Sequence, residues 1–226
     1  MKLLILGRGK TGALVAQVAH QRGHQVEVLC AAENLHACAL TPTRLAGQDV
    51  VVDFTIPHAV LENIEACVRA RKNMVVGTTG WHAELPKVRR IVEEAGVGFL
   101  YGANFSRGVN LFFDAARAVA ALLGQGYSGQ IFERHHKHKK DAPSGTAVQL
   151  QGIVRDASGD DLEITSFREG DVVGMHELVL DSPADTIYLC HDAKSRLGFA
   201  EGAVRSAEWL SGKTGFFDFK DIWRQL

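Results

Sequence analysis

Glycines at positions 7, 9 and 12 stand between an apolar run over residues 3–6 and a helical pattern over residues 13–19. This spacing, Gly-x-Gly-x-x-Gly between strand and helix, leaves the start of the chain few conformations. Gly7 suits a tight turn, Gly9 a close approach of backbone to a pyrophosphate, and Gly12 the packing of helix on strand. The pyrophosphate would then rest on the helix N-terminus, where unpaired amides and the helix dipole favour an anion. Gly9-Lys10-Thr11 also resembles the end of an ATPase phosphate loop. That motif needs a glycine at position 4, and Leu4 stands there within the apolar run. Gly7, Arg8, Gly9, Lys10, Thr11 and Gly12 are therefore the first cofactor-binding candidates, for a dinucleotide.

The same alternation continues. Short apolar runs at 26–29, 50–54, 74–76 and 97–100 read as buried parallel strands, with amphipathic helices from Pro57 and over 82–95 between them. The expected fold is α/β, a Rossmann-like doubly wound parallel sheet, whose ligands bind beyond the carboxyl ends of the strands. Phe54-Thr55, Gly77-Thr78-Thr79 and Gly102-Ala103-Asn104-Phe105 fall at three of those ends. Gly, Thr and Asn also favour ordinary turns, but their recurrence on one edge points to a cofactor cleft.

Near residue 106 the pattern changes. A long apolar helix is expected over 109–123, then strands near 129–134, 162–168, 172–180 and 186–192. These suit a second, α+β domain with an open mixed sheet, one face of which offers an oligomer surface. The tail from Gly202 reads as a helix followed by an aromatic-rich end. A net charge of -1 provides no general attraction for nucleic acid or membrane. The four scattered cysteines lack ligand spacing, and no apolar run approaches a membrane-spanning length of roughly 20 residues, so a cytoplasmic protein is expected.

The chemistry concentrates in "ERHHKHKKDAPSGTA", residues 133–147. A nucleic-acid patch would need further positive charge and stacking aromatics. Zinc is disfavoured by the surrounding lysines, so no metal is expected. A solvated basic loop is one reading of such a run. The other comes from Ser144, a good helix N-cap that would leave the Gly145 and Thr146 amides in a first turn, ready for an anion. Beside it, a histidine or a lysine crowded by cations can hold and give a proton near neutral pH. Asp141 is the local counter-charge for one of those lysines.

With "DFTIPHAV", "VVGTTG", "GANFSRGVN", "REGDVVGMHE" and "GAVRSAEWLSGKTGFFDF", this block resembles the 4-hydroxy-tetrahydrodipicolinate reductase (dihydrodipicolinate reductase) family of the diaminopimelate route to lysine. The pieces follow family order over nearly the whole chain. The resemblance implies reduction of a cyclic imine dicarboxylate by NADH or NADPH, with His135 and Lys139 as proton donors. It implies His136, Ser144, Gly145 and Thr146 as substrate-binding residues. The glycine loop with Phe54, Thr55, residues 77–79 and residues 102–105 would bind the cofactor. It also implies a dinucleotide domain of residues 1–105 and 196–226, a substrate and oligomerisation domain of residues 106–195, and a homotetramer. Glu33 is the nearest acidic residue after the second strand, and the choice between NADH and NADPH stays open. His135 and His136 would face opposite sides of a regular strand, so the strand should end or twist there. Arg168 and His176 are read first as structural, and alternatively as reaching the site. Another Rossmann amino-acid dehydrogenase, or a non-catalytic dinucleotide-binding paralogue, is the competing reading.

Overall fold

The computed structural model describes residues 1–226, in two compact units: Met1–Arg107 with Leu197–Leu226, and Gly108–Arg196. In the first unit, β1 (Lys2–Leu6), β2 (Gln25–Leu29), β3 (Val50–Asp53), β4 (Asn73–Val76) and β5 (Gly98–Tyr101) are joined through α1 (Lys10–Gln21), α2 (Pro42–Ala46), α3 (Pro57–Arg69) and α4 (Leu85–Ala95). A sixth strand, β10 (Gly215–Asp218), extends the sheet, whose order is β10-β5-β4-β3-β1-β2. All its pairings are parallel.

Side chains alternate between the two faces of each strand, and both faces here are covered. Leu3, Ile5, Val50 and Val52 pack with α1 and with α7 (Leu197–Leu210), whereas Leu4, Leu6, Val51 and Met74 pack with α3 and α4. Each such residue is at most 1% exposed, and burying a side chain of this kind contributes about 1.5–3 kcal/mol. The chain leaves β1 toward β2 on one side and returns to β3 on the other. The switch point between β1 and β3 is where such sheets open a ligand crevice.

Two parts of this unit differ from the sequence expectation. The helix expected from residue 202 starts five residues earlier, at Leu197. The aromatic end forms strand β10, which short length and missing alternation conceal: all four residues are half-buried. Phe216 stacks on Phe99 at 5.1 Å and lies 4.5 Å from the Arg89 guanidinium, so tertiary contacts make this strand.

The second unit contains α5 (Arg107–Val119, all but its first residue), β6 (Ser128–His135), α6 (Gly145–Ser158), β7 (Ile164–Arg168), β8 (Gly174–Asp181) and β9 (Thr186–Ala193). The apolar stretch expected as one helix over 109–123 is α5 to Val119 and then a tighter 3-10 turn, Ala120–Gln125. The sheet order is β7-β6-β8-β9. β6 and β7 run parallel, joined through α6, and the other two pairings are antiparallel. Ser182 closes the β8–β9 hairpin: its Oγ accepts from the Ala184 and Asp185 amides at 3.2 and 3.1 Å. Ile131, Leu178 and Leu180 pack one sheet face against Phe113, Leu150 and Val154 of the helices. On the other face Tyr188 stays 68% and Phe167 41% exposed, which makes this the open mixed sheet of the sequence reading. The remaining short helix, α8 (Phe219–Ile222), belongs to the first unit.

Candidate active site

In the first unit, the glycine turn has the geometry its spacing implies. Gly7 takes φ +101°, and a Cβ there would lie 2.2 Å from the Phe54 carbonyl oxygen. A Cβ on Gly12 would lie 2.1 Å from the Gly7 carbonyl oxygen, so only glycine lets α1 sit this close to its own turn. Gly9 differs: nothing lies within 4 Å of its would-be Cβ. It is the N-cap of α1, and no side chain caps that helix. The first-turn amides and the open space above Gly9 together make a cradle that fits a dinucleotide pyrophosphate.

A cleft of about 370 Å³ opens from this turn. Gly7, Arg8, Gly9, Phe54 and Thr55 line it, as do Leu35, His36, Ile56 and His58, which the sequence reading did not single out. Leu35 and Ile56 are 62% and 56% exposed, an arrangement suited to a flat apolar ring. Glu33 is turned to local use: its Oε2 accepts from the Cys30 amide at 2.7 Å and lies 4.0 Å from Arg8.

Gly77, Thr78, Thr79, Gly102, Ala103, Asn104 and Phe105 are not among the cleft residues. Gly77 makes room for the Phe54 ring, which would meet a Cβ there at 2.2 Å. Thr78 Oγ1 donates to Asp53 at 2.6 Å and accepts from the Thr55 amide at 2.8 Å. The Phe105 side chain is 2% exposed in the core beside Phe219. Asp53 is itself fully buried and also accepts from Thr55 and Asn63. Asn63 in turn accepts from Asn34 at 2.9 Å, which ties the 30–40 segment to the end of β3.

In the second unit, β6 ends at His135. The next amide, of His136, donates to the Val172 carbonyl at 2.8 Å, and Lys139 closes a turn back on His136. The strand therefore stops where the two histidines require it. Lys139 Nζ donates to both Asp141 carboxylate oxygens at 2.9 Å, so Asp141 is the counter-charge expected for one lysine. Ser144 caps α6 by accepting from the Ala147 amide at 3.2 Å, a bond that does not use the Gly145 or Thr146 amides.

A further charge lies beneath this loop. Glu133, two residues before His135 on the same strand face, is 0% exposed. Its Oε1 accepts from Arg168 at 2.7 Å and from the Ser144 amide at 3.3 Å, and its Oε2 lies 2.6 Å from His135 Nδ1. Arg168 also donates to the Asp141 carbonyl at 2.6 Å. His176 Nε2 is 3.1 Å from Ser144 Oγ, and its ring stands edge-on to His135 at 5.1 Å. Arg168 and His176, read first as structural, thus join the residues 133–146. Their signal was register: Glu133 pairs with His176 on β8, and His135 with Arg168 on β7.

Burial raises the Glu133 carboxyl, but Ser166, Arg168 and Ser144 more than offset it and hold it at about 2. His135 is lowered by burial, with Glu133 opposing. The ligand atoms of Glu133, His135 and His176 lie within 4.8 Å of one another, a spacing a metal could use. The Arg168 guanidinium already neutralises Glu133, and Lys139 adds a second positive charge toward His135. An ion-pair cluster is the better description.

His176 is held neutral. Burial pushes its imidazole down from 6.5 to about 4, and neighbouring His135 adds to this. Below pH 6.5 the unfolded chain binds a proton that the folded one refuses, so this contribution is complete above pH ~6.5 and lost as pH falls toward ~4. Glu133 acts in the same direction over a lower window: its pKa is depressed from 4.5, so its contribution is lost only below about that pH. Urea unfolding should therefore show stability falling from pH 7 to 4.5 by up to ~3 kcal/mol through His176. His176→Gln should reduce that slope, the remainder being carried by His135 and His191, whose imidazoles burial also lowers, and an unchanged slope would assign it elsewhere.

An open glycine cradle at a sheet's switch point in one unit, and a capped helix start beside buried histidines in the other, are features of a dinucleotide-dependent oxidoreductase of Rossmann type. Residues 1–105 match the family model for the dihydrodipicolinate reductase N-terminus, and residues 108–223 that for its C-terminus. The chain belongs to the dihydrodipicolinate (4-hydroxy-tetrahydrodipicolinate) reductase family. It is 36% identical to the 4-hydroxy-tetrahydrodipicolinate reductase of Christiangramia forsetii, over 100% of this chain and 99% of that one. It is 38% identical to the enzyme of that name from Neisseria meningitidis serogroup A, over 80% and 74% of the two chains. Among solved structures, a dipicolinate-bound dihydrodipicolinate reductase from Paenisporosarcina sp. TG-14 shares the fold, with TM-score 0.81 at 23% identity over 98% and 99% of the chains.

Proposed function

We propose that the chain reduces 4-hydroxy-tetrahydrodipicolinate to tetrahydrodipicolinate with NADH or NADPH, in the diaminopimelate route to lysine. The observation that carries this reading is the start of α6, where Ser144 takes the cap, its Oγ lies 3.1 Å from His176 Nε2, and its amide donates to the Glu133 carboxylate that meets His135. A small dicarboxylate needs such a receptor, made of amides, a hydroxyl and fixed positive charge. His136, Ser144, Gly145 and Thr146 would hold the substrate carboxylates.

Loss of the 4-hydroxyl and one C3 hydrogen as water leaves a C3=C4 double bond conjugated to the ring imine, and the reduced nicotinamide, when bound, would supply a hydride for its C4. Gly7, Arg8, Gly9, Lys10, Thr11 and Gly12 hold its pyrophosphate, with Phe54, Thr55, residues 77–79 and residues 102–105 completing that side. His135 and Lys139 supply the proton that C3 then takes. Residues 1–105 and 196–226 act as the dinucleotide domain, and residues 106–195 as the substrate and oligomerisation domain. The exposed sheet face bearing Tyr188 and Phe167 supports assembly into a homotetramer. No helix is long and apolar enough to cross a membrane, and a biosynthetic role suits the cytoplasm.

The test is NAD(P)H absorbance in a coupled assay. Pyruvate and aspartate semialdehyde, with the upstream synthase, generate the unstable substrate in place. Synthase-dependent oxidation is expected, and the ratio of rates with NADH and NADPH gives the preference. Binding of both cofactors with consumption of neither would overturn the reading.

A further inference from the structure

We propose that Glu133 is a positioning residue whose buried carboxylate fixes the tautomer and orientation of His135 while bracing the N-terminus of α6. This role rests on the reading of His135 as a group that handles a proton. One carboxylate spans the two working segments: Oε2 lies 2.6 Å from His135 Nδ1, and Oε1 accepts from the Ser144 amide at 3.3 Å. Arg168 locks it from β7 at 2.7 Å and reaches on to the Asp141 carbonyl, next to the counter-charge of Lys139. Removing Glu133 would therefore loosen His135, the α6 start and the Lys139–Asp141 turn together.

The chemistry is that of a carboxylate behind an imidazole. The carboxylate oxygen sits 2.6 Å from Nδ1, off the line of an ideal N–H···O bond, and its charge favours a proton on that nitrogen, which leaves Nε2 as the site that gains and gives one. The charge also favours the imidazolium. The groups facing His135 are Glu133 on its own strand, Arg168 on β7, His176 on β8 and Lys139 in the following loop, with His191 of β9 behind His176. Glu133 alone among these carries negative charge. The ring is also seated from below: a Cβ on Gly174 would come within 2.9 Å of His135 Nε2.

The test uses the full chain, labelled with ¹⁵N at histidine. In Glu133→Gln the His135 signals should titrate at lower pH than in wild type and lose their single Nδ1–H tautomer. In the coupled assay, kcat should fall roughly 10²–10⁴-fold and its alkaline limb should move to lower pH. NAD(P)H affinity should stay unchanged, and Glu133→Asp should recover part of kcat. A folded Glu133→Gln with wild-type His135 titration and kcat would overturn the role. Should that variant fail to fold with Arg168 left unpaired, Gly174→Ala tests the same contact by pushing the ring off Glu133. Wild-type histidine spectra and kcat in Gly174→Ala would equally overturn it. The titration is read without substrate, so it decides the role of Glu133 even where the assay finds no turnover.

Discussion

The double variant His135→Ala/Lys139→Ala should lose turnover by at least ~10³-fold while binding NADH or NADPH as tightly as the parent chain. A positioned proton donor contributes on the order of 10²–10⁴. Groups serving one step are not additive, so the double loss should barely exceed the larger single one. The cofactor side should be spared because both residues belong to the second compact unit and the glycine turn to the first. The coupled assay gives kcat, and quenching of protein fluorescence on cofactor titration gives affinity. Wild-type turnover would remove both residues from the chemistry.

Gly9→Val and Gly12→Val should fail in different ways. At Gly9 the space is open and the residue exposed, so the fold should survive and the melting temperature stay close to that of the parent. The valine would occupy the pyrophosphate position. Losing two charge-assisted amide contacts at about 1.5–3 kcal/mol each corresponds to roughly 10²–10⁴ in cofactor dissociation constant. At Gly12 the new side chain would strike the Gly7 carbonyl at 2.1 Å. α1 must then separate from its turn, at an overpacking cost of about 1–3 kcal/mol or more. Calorimetry with a cofactor titration separates the two. Unchanged affinity in Gly9→Val would overturn the cradle.

What was legible in the chain followed from local rules. The five strands of the first hundred residues are short, turn-bounded apolar runs, and all but the edge strand β2 are largely buried, so their pattern carries no ambiguity of face. The glycine turn and the Ser144 cap were equally local, since each depends on neighbours within a few residues. β10 was not legible, because Phe216 becomes a strand residue only through Phe99 and Arg89, far away in sequence. Glu133 stood at the edge of the basic block and passed as one charge among many. Its importance comes from cross-strand register with Arg168 and His176, and register between distant segments is invisible to spacing. The cleft wall of Leu35 and Ile56 was hidden for a similar reason. Exposed apolar residues in loops mean little until a concave surface gathers them.

The Asn34–Asn63–Asp53 relay has a consequence for how this protein can change. It anchors the 30–40 segment from beneath, through interior amides, so the backbone course of that wall does not depend on what its outward residues are. Arg8, His36 and His58 all line the cleft from exposed positions, and none of them is part of the relay. They form an interchangeable rim on a fixed frame. Replacing basic groups there with acidic or neutral ones would change the charge offered to a ribose or its phosphate and leave the scaffold as it was. In such an arrangement, preference between two closely related coenzymes can drift one surface residue at a time without passing through an unstable ancestor.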